Sequence, residues 1–191
     1  MKLLAILLYP LGLLLRRKRA GTTHSISNAP ELATARTGTL DLTSPAFTHG
    51  ATIPPRHATM DLGPNISPAL AWEEPPAGTR QMLLVMEDTD TPTSRPARHM
   101  TAFFAPTPPR IEEGELTEDN RRFTYLPDHR GRGGYQGPRP LPGHGTHHYH
   151  FHLYALDTEA DASATKDLDA LLPQFAGHVL ASGHLEGTLR G

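Results

Sequence analysis

Cysteine is absent from the 191-residue sequence, which excludes disulfide staples and thiol nucleophiles and suits a reducing compartment. Charge of one sign is not in excess either: 18 Lys and Arg stand against 20 Asp and Glu, a formal net charge of −2. No global field then draws the chain to nucleic acid or to lipid, and any such attraction has to be local. Long apolar runs are missing too. The stretch from Leu3 to Leu15 is interrupted by Pro10 and Gly12 and falls short of the roughly 20 residues that a bilayer span needs. What the sequence does hold is 19 prolines and 17 glycines, which punctuate short apolar runs as in a β-rich fold. A hydrophobic content of 37% over this length supplies one good core, hence one domain. Twelve histidines bring proton-switchable charge and metal-ligating nitrogens.

The apolar stretch is followed at once by Arg16-Arg17-Lys18-Arg19, whereas a secretory signal carries its positive charge before the apolar part. Three readings stay open: a helix docked on its own domain or a partner, a peripheral membrane contact through residues 3–19, and an atypical signal. Residues 20–37 are rich in Ser, Thr, Ala and Asn without periodicity and read as a flexible linker. The expected organisation is leader and linker over 1–37 and a folded domain over 38–191.

Within the domain, Thr39 to Thr43 alternates like a half-buried strand, and Gln81 to Met86 is a continuous apolar run, as expected of a strand buried on both faces. Thr101 to Ala105, His148 to Ala155 and His184 to Arg190 read as further strands, and 107–146 reads as mostly loop. Thr165 caps an expected helix carrying Leu168, Leu171 and Leu172, and Pro173 restarts a second through Phe175, Val179 and Leu180. Strands without a strand-helix rhythm argue for an antiparallel sandwich, mainly β, with one or two short C-terminal helices.

Three separated clusters can carry chemistry: Asp88-Thr89-Asp90-Thr91-Pro92, His99, and the run from Gly137-Pro138 to His147-His148-Tyr149. Each alone has an ordinary explanation, as a turn, a hydrogen-bonded structural histidine or a stiff loop. Together, in order, with Ser44-Pro45-Ala46-Phe47, Asn65-Ile66-Ser67-Pro68, Gly134-Tyr135 and Gly177-His178-Val179, they resemble the phosphatidylethanolamine-binding protein (PEBP) family, in its bacterial Raf-kinase-inhibitor-like branch. The resemblance covers roughly residues 39–191. Thr89, Met100, Phe104 and His148 depart from the family's usual residues.

The resemblance implies a PEBP-type β-sandwich and a binding protein, not an enzyme, whose pocket takes phosphate or a phospholipid head group through Asp88, Asp90, Pro92, His99, Gly137, Pro138, His147 and Tyr149. It implies no cofactor, a cytoplasmic setting and a regulatory role such as inhibition of a kinase or protease. In this reading Asp88 accepts a hydrogen bond from a histidine and orients it, and Asp90 holds loop amides or meets an ammonium group. Three alternatives accompany it. His148, His150 and His152 alternate along one strand face, with His144 close in sequence, either as metal ligands or as polar rings on the exterior of the sandwich. Asp88 and His99 can activate a water as a hydrolase, although Ser94 and Ser163 have no nucleophile-elbow context. The loop arginines Arg121, Arg122, Arg130, Arg132 and Arg139 are either solvated charge or a steering field for anions.

Overall fold

In a computed structural model of the chain, residues 2–33, 38–59, 62–162 and 165–191 are described. Eight strands follow one another: β1 (Gly38–Thr39), β2 (Leu70–Ala71), β3 (Gln81–Asp88), β4 (Ala97–Phe104), β5 (Arg110–Ile111), β6 (Phe123–Leu126), β7 (Thr146–Leu156) and β8 (Val179–Arg190). Six form one sheet in the order β1-β8-β7-β3-β4-β6, and β2 pairs with β5 in a small second sheet. The protein is thus mostly β, but the large sheet is mixed: β1 runs parallel to β8 while the other neighbours are antiparallel.

The apolar run of β3 occupies the centre of this sheet because both its faces are covered. Met82, Leu84 and Met86 join Leu70, Trp72, Ile111, Tyr149, Phe151 and Leu153 in one core. Leu83 and Val85 join Tyr154, Leu156, Leu168, Leu171 and Phe175 in a second core on the opposite face. All five β3 side chains from Met82 to Met86 are fully buried, and each such residue contributes roughly 1.5–3 kcal/mol relative to an exposed position.

Several elements differ from the sequence-based expectation. The loop 107–146 contains β5 and β6, strands too short to give a periodic signal. A single four-residue helix, α2 (Leu168–Leu171), is capped by Asp167, whose side chain accepts from the Asp169 amide. Thr165 instead accepts from the Asp167 amide. Pro173 lies in a 3-10 turn (Leu172–Phe175) rather than in a second α-helix. Val179 and Leu180 open β8, because pairing with β7 along nearly the whole strand outweighs their helical spacing. Ser163 lies outside the described residues.

The N-terminal helix, here αN (Lys2–Leu15), contains Pro10. Among the described residues no helix is long and apolar enough to cross a membrane. αN docks through Gly12, where a Cβ would fall 1.9 Å from the Pro142 carbonyl oxygen, and leaves Ile6, Leu7 and Leu14 exposed. The segment read as a linker carries two 3-10 turns, Ile26–Asn28 and Pro30–Leu32, with Ile26 and Leu32 buried in the second core. Residues 34–37 lie outside the described set.

Candidate functional site

The site begins where β3 leaves the sheet. Asp88 pairs with Tyr149 on β7 and with Ala97 on β4, so carboxylate and phenol share one face. Strict alternation along β4 from Met100, Ala102 and Phe104, all in the first core, would send His99 to the other face. A register shift intervenes: Met86 pairs with Met100 but Glu87 pairs with Arg98, leaving His99 unpaired. Such a bulge re-aims a side chain, and the His99 ring sits edge-on to Tyr149 at 5.4 Å between centroids.

Asp88, His99 and His147 line a cavity of about 100 Å³, together with Pro92, Gly137, His129, Arg130, Arg132 and Arg139. At about 30 Å³ of liquid volume per water molecule, it has the size of a phosphate group. Gly137 has no room for a side chain, since a Cβ would lie 1.9 Å from the His57 carbonyl oxygen. Its amide donates to Asn65 Oδ1 at 2.8 Å, which fixes the rim. Pro138 is buried behind the rim, where its carbonyl accepts from the Thr59 amide.

Asp88 is 2% exposed. Its Oδ2 accepts a hydrogen bond from His147 Nδ1 at 2.7 Å and its Oδ1 accepts one from the Asp90 amide at 2.8 Å. His147 is engaged on its other side as well: Nε2 lies 2.8 Å from His144 Nδ1, and His144 Nε2 donates to the carbonyl oxygens of Leu15 at 3.0 Å and Lys18 at 3.1 Å. The hydrogen bonds thus run in series from the Asp88 carboxylate through both rings to the leader carbonyls. From the sequence His144 was a candidate only as a neighbour of the possible metal-ligating histidines; its position three residues before His147 was the signal for this contact.

His99 offers a different nitrogen to the pocket. Its Nδ1 donates to the Gln136 carbonyl at 2.8 Å, which leaves Nε2 for a ligand. Burial holds its pKa below the usual imidazole value, against the pull of Asp88. Tyr149 is fully buried beside these groups, and its hydroxyl has no hydrogen bond of good geometry among the described residues. Burial, and then the Asp88 charge, push its pKa well above the phenol value.

Asp90 does not face the cavity. Its Oδ2 accepts from the His148 amide at 2.7 Å and from His148 Nδ1 at 2.6 Å, and its Oδ1 is paired with Arg19. Although burial alone would raise its pKa, these partners hold it below the usual carboxylate value. Arg19 also donates to the Thr146 carbonyl, and the amides of Ala20 and Gly21 bond to Thr91 and Thr89. The basic block thus ties the leader to the loop after β3.

Of the loop arginines, Arg130, Arg132 and Arg139 stand in the cavity wall, and Arg132 is braced by Asp128 at 3.0 Å. Arg122 pairs instead with Glu115 and lies over the Phe123 ring. On the opposite face of β7, His148, His150 and His152 do not form one group. His148 is taken by Asp90, whereas His150 and His152 meet His184 of β8, a residue the sequence reading did not connect with them.

Comparison with known proteins bears on the family and the fold. The family profile described as phosphatidylethanolamine-binding protein matches residues 43–190. A UPF0098 protein of Methanothermobacter thermautotrophicus is 34% identical over 158 residues, covering 79% of this chain and 99% of that protein. A UPF0098 protein of Mycobacterium bovis is 36% identical over 109 residues, covering 57% of this chain and 50% of that protein. The match thus spans about half the length of such mycobacterial relatives. Among solved structures, a Chlamydia trachomatis protein described as a homologue of phosphatidylethanolamine-binding protein superposes with a TM-score of 0.69 at 27% identity, covering 81% of this chain and 99% of that one.

Proposed function

Because the chain belongs to the phosphatidylethanolamine-binding protein family, we propose that it binds a phosphate, or the phosphate of a phosphate-bearing head group, in the cavity at Asp88, His99 and His147. The observation that carries this reading is the convergence of Arg130, Arg132 and Arg139 with His99 on a hollow of about 100 Å³, since guanidinium donors around a small space favour a compact anion. The cavity admits the phosphate and leaves any alcohol or lipid portion outside. The family's sandwich packing belongs to the same reading, with the β2-β5 sheet lying over the first core.

The hydrogen bonding of Asp88 and His147 favours binding over catalysis in this reading. Asp88 is committed to His147 and the Asp90 amide, and both His147 nitrogens are engaged, so neither is free to act on a water. A regulatory role toward a kinase or protease would use this pocket as its phosphate receptor. A cytoplasmic placement, with the exposed Ile6, Leu7 and Leu14 of αN and the block Arg16 to Arg19 at a membrane surface, extends the proposal.

Sulfate tests it, because its charge is constant across the neutral range and it has no proton to give. Neutral His99 presents a lone pair at Nε2, so sulfate binding requires that nitrogen to take up a proton. Affinity is expected to rise as pH falls from about 8 to about 5.5, by at most about tenfold per pH unit for one proton. His99→Gln, with a permanent amide donor, is expected to lose that slope. Sulfate binding measured by calorimetry that is absent, or independent of pH in the wild type, would overturn the proposal.

A further inference from the structure

β7 divides its side chains between two faces, and the face away from the anion pocket carries a second concentration of histidines. His152 pairs directly with His184 of β8, and His150 pairs with Glu186. The rings of His150, His152 and His184 lie nearly parallel, with centroids 5.0–5.8 Å apart. One ring nitrogen from each can be chosen so that all lie within 4.8 Å of one another, and His150 Nδ1 is already 3.0 Å from His184 Nε2. They line a cavity of about 700 Å³ whose other wall is the leader segment with Thr22, Ser25 and Ser27.

We propose that His150, His152 and His184 form a binding site for one divalent cation of the zinc class, on the face of the sheet opposite the anion pocket. Three imidazoles satisfy three positions of a tetrahedral zinc, and the fourth stays open to the cavity or takes Glu186. The Glu186 carboxylate lies 3.7 Å from His150 Nδ1.

Two independent features point to a cation rather than to stacked rings alone. The first is an unpartnered ring nitrogen. His152 is 6% exposed and its Nε2 has no hydrogen-bond partner among the described residues, an expensive state for a buried polar atom that a metal bond would relieve. The second is charge. Glu87 is 1% exposed and lies 4.0 Å from His152 Nε2, and burial raises its pKa even though Ser25 and the Ile26 amide bond to it. With Glu186, two carboxylates stand ready to balance a double positive charge. The histidines are also held neutral, as ligands must be. Burial, the largest cause for each, lowers their pKa values, that of His152 to about 3.

A zinc ion at roughly 2.0–2.1 Å from each nitrogen draws them closer than 4.8 Å. His184 is exposed and is the ring free to swing inward. The contact between His150 and His184 holds one N–H between their facing nitrogens; when both nitrogens bind the cation, that hydrogen moves to the ring's other nitrogen, so the neutral imidazoles bind without net proton release.

The test uses full-length protein prepared without an affinity tag and stripped with a chelator. Zinc chloride titrated by calorimetry is expected to bind with a stoichiometry of about one. His184→Gln and His150→Gln are each expected to weaken it by about tenfold or more, while His178→Gln, outside the cluster, leaves it unchanged. Because His184 is exposed, its variant folds even if His152→Gln does not. Copper(II) resonance spectra are expected to show nitrogen coupling from the imidazoles that diminishes in His184→Gln. Zinc affinity unchanged in both cluster variants, binding abolished by His178→Gln, or no binding by the wild type would each overturn the assignment.

Discussion

Asp88 shows how much can rest on one carboxylate. It accepts one hydrogen bond from a ring nitrogen and one from a backbone amide, in a place almost without water. Asp88→Ala removes both acceptors and leaves His147 Nδ1 and the Asp90 amide unpaired, each at a cost of about 1–3 kcal/mol. A loss of roughly 2–4 kcal/mol in urea unfolding is therefore expected. Asp88→Asn keeps an oxygen for one donor but presents an amide to the other, and should lose less, roughly 1–2 kcal/mol. Equal unfolding midpoints for wild type and Asp88→Ala would show that the carboxylate orients nothing.

The leader and the pocket are joined as elements through the same series of hydrogen bonds. Its end at the Leu15 and Lys18 carbonyls exists only while His144 Nε2 carries a hydrogen. Hydrogen exchange at the Ala20 and Gly21 amides, which bond to Thr91 and Thr89, reports on this docking. His144→Ala, which removes the donor to the leader carbonyls, is expected to lower their protection, whereas His144→Gln, which keeps an NH₂ donor, should retain more of it; equal protection in wild type and His144→Ala would refute the link. This coupling was invisible in the sequence because residues 15–21 and 144–147 meet only through the fold. The central strands were legible for the opposite reason. Residues 81–86 are apolar without interruption because both sheet faces are covered, and β7 alternates histidines with core residues. β5 and β6 were missed because two to four residues cannot show a period, and the opening of β8 read as helix because Phe175, Val179 and Leu180 fit both patterns.

Across the whole molecule, the alternation of β7 separates two kinds of chemistry. His147, Tyr149 and Phe151 face the first core and its pocket, while His148, His150 and His152 face the leader. That division was readable from the period of two alone, whereas the gathering of Asp88 with His147 was implied only by the resemblance to the family. The placement of His99 was not readable from the period, because it depends on a bulge that breaks it, and His184 was hidden because its partners arrive from another strand. The separation has a measurable consequence. A change on one face reaches the other only through a backbone held by ladders on both sides of β7, and sites without shared partners act additively to within about 0.5 kcal/mol. His184→Gln is therefore expected to leave sulfate affinity within about twofold of wild type, and His99→Gln to leave zinc affinity equally unchanged. Glu87 and Asp88 are the one place where this insulation is thin, being adjacent in β3 with one carboxylate on each face. If saturating zinc shifts sulfate affinity by more than about threefold, the charge at Glu87 is felt through that peptide unit and the two faces form one coupled receptor. If it does not, the sheet works as a partition and the protein carries two independent sites.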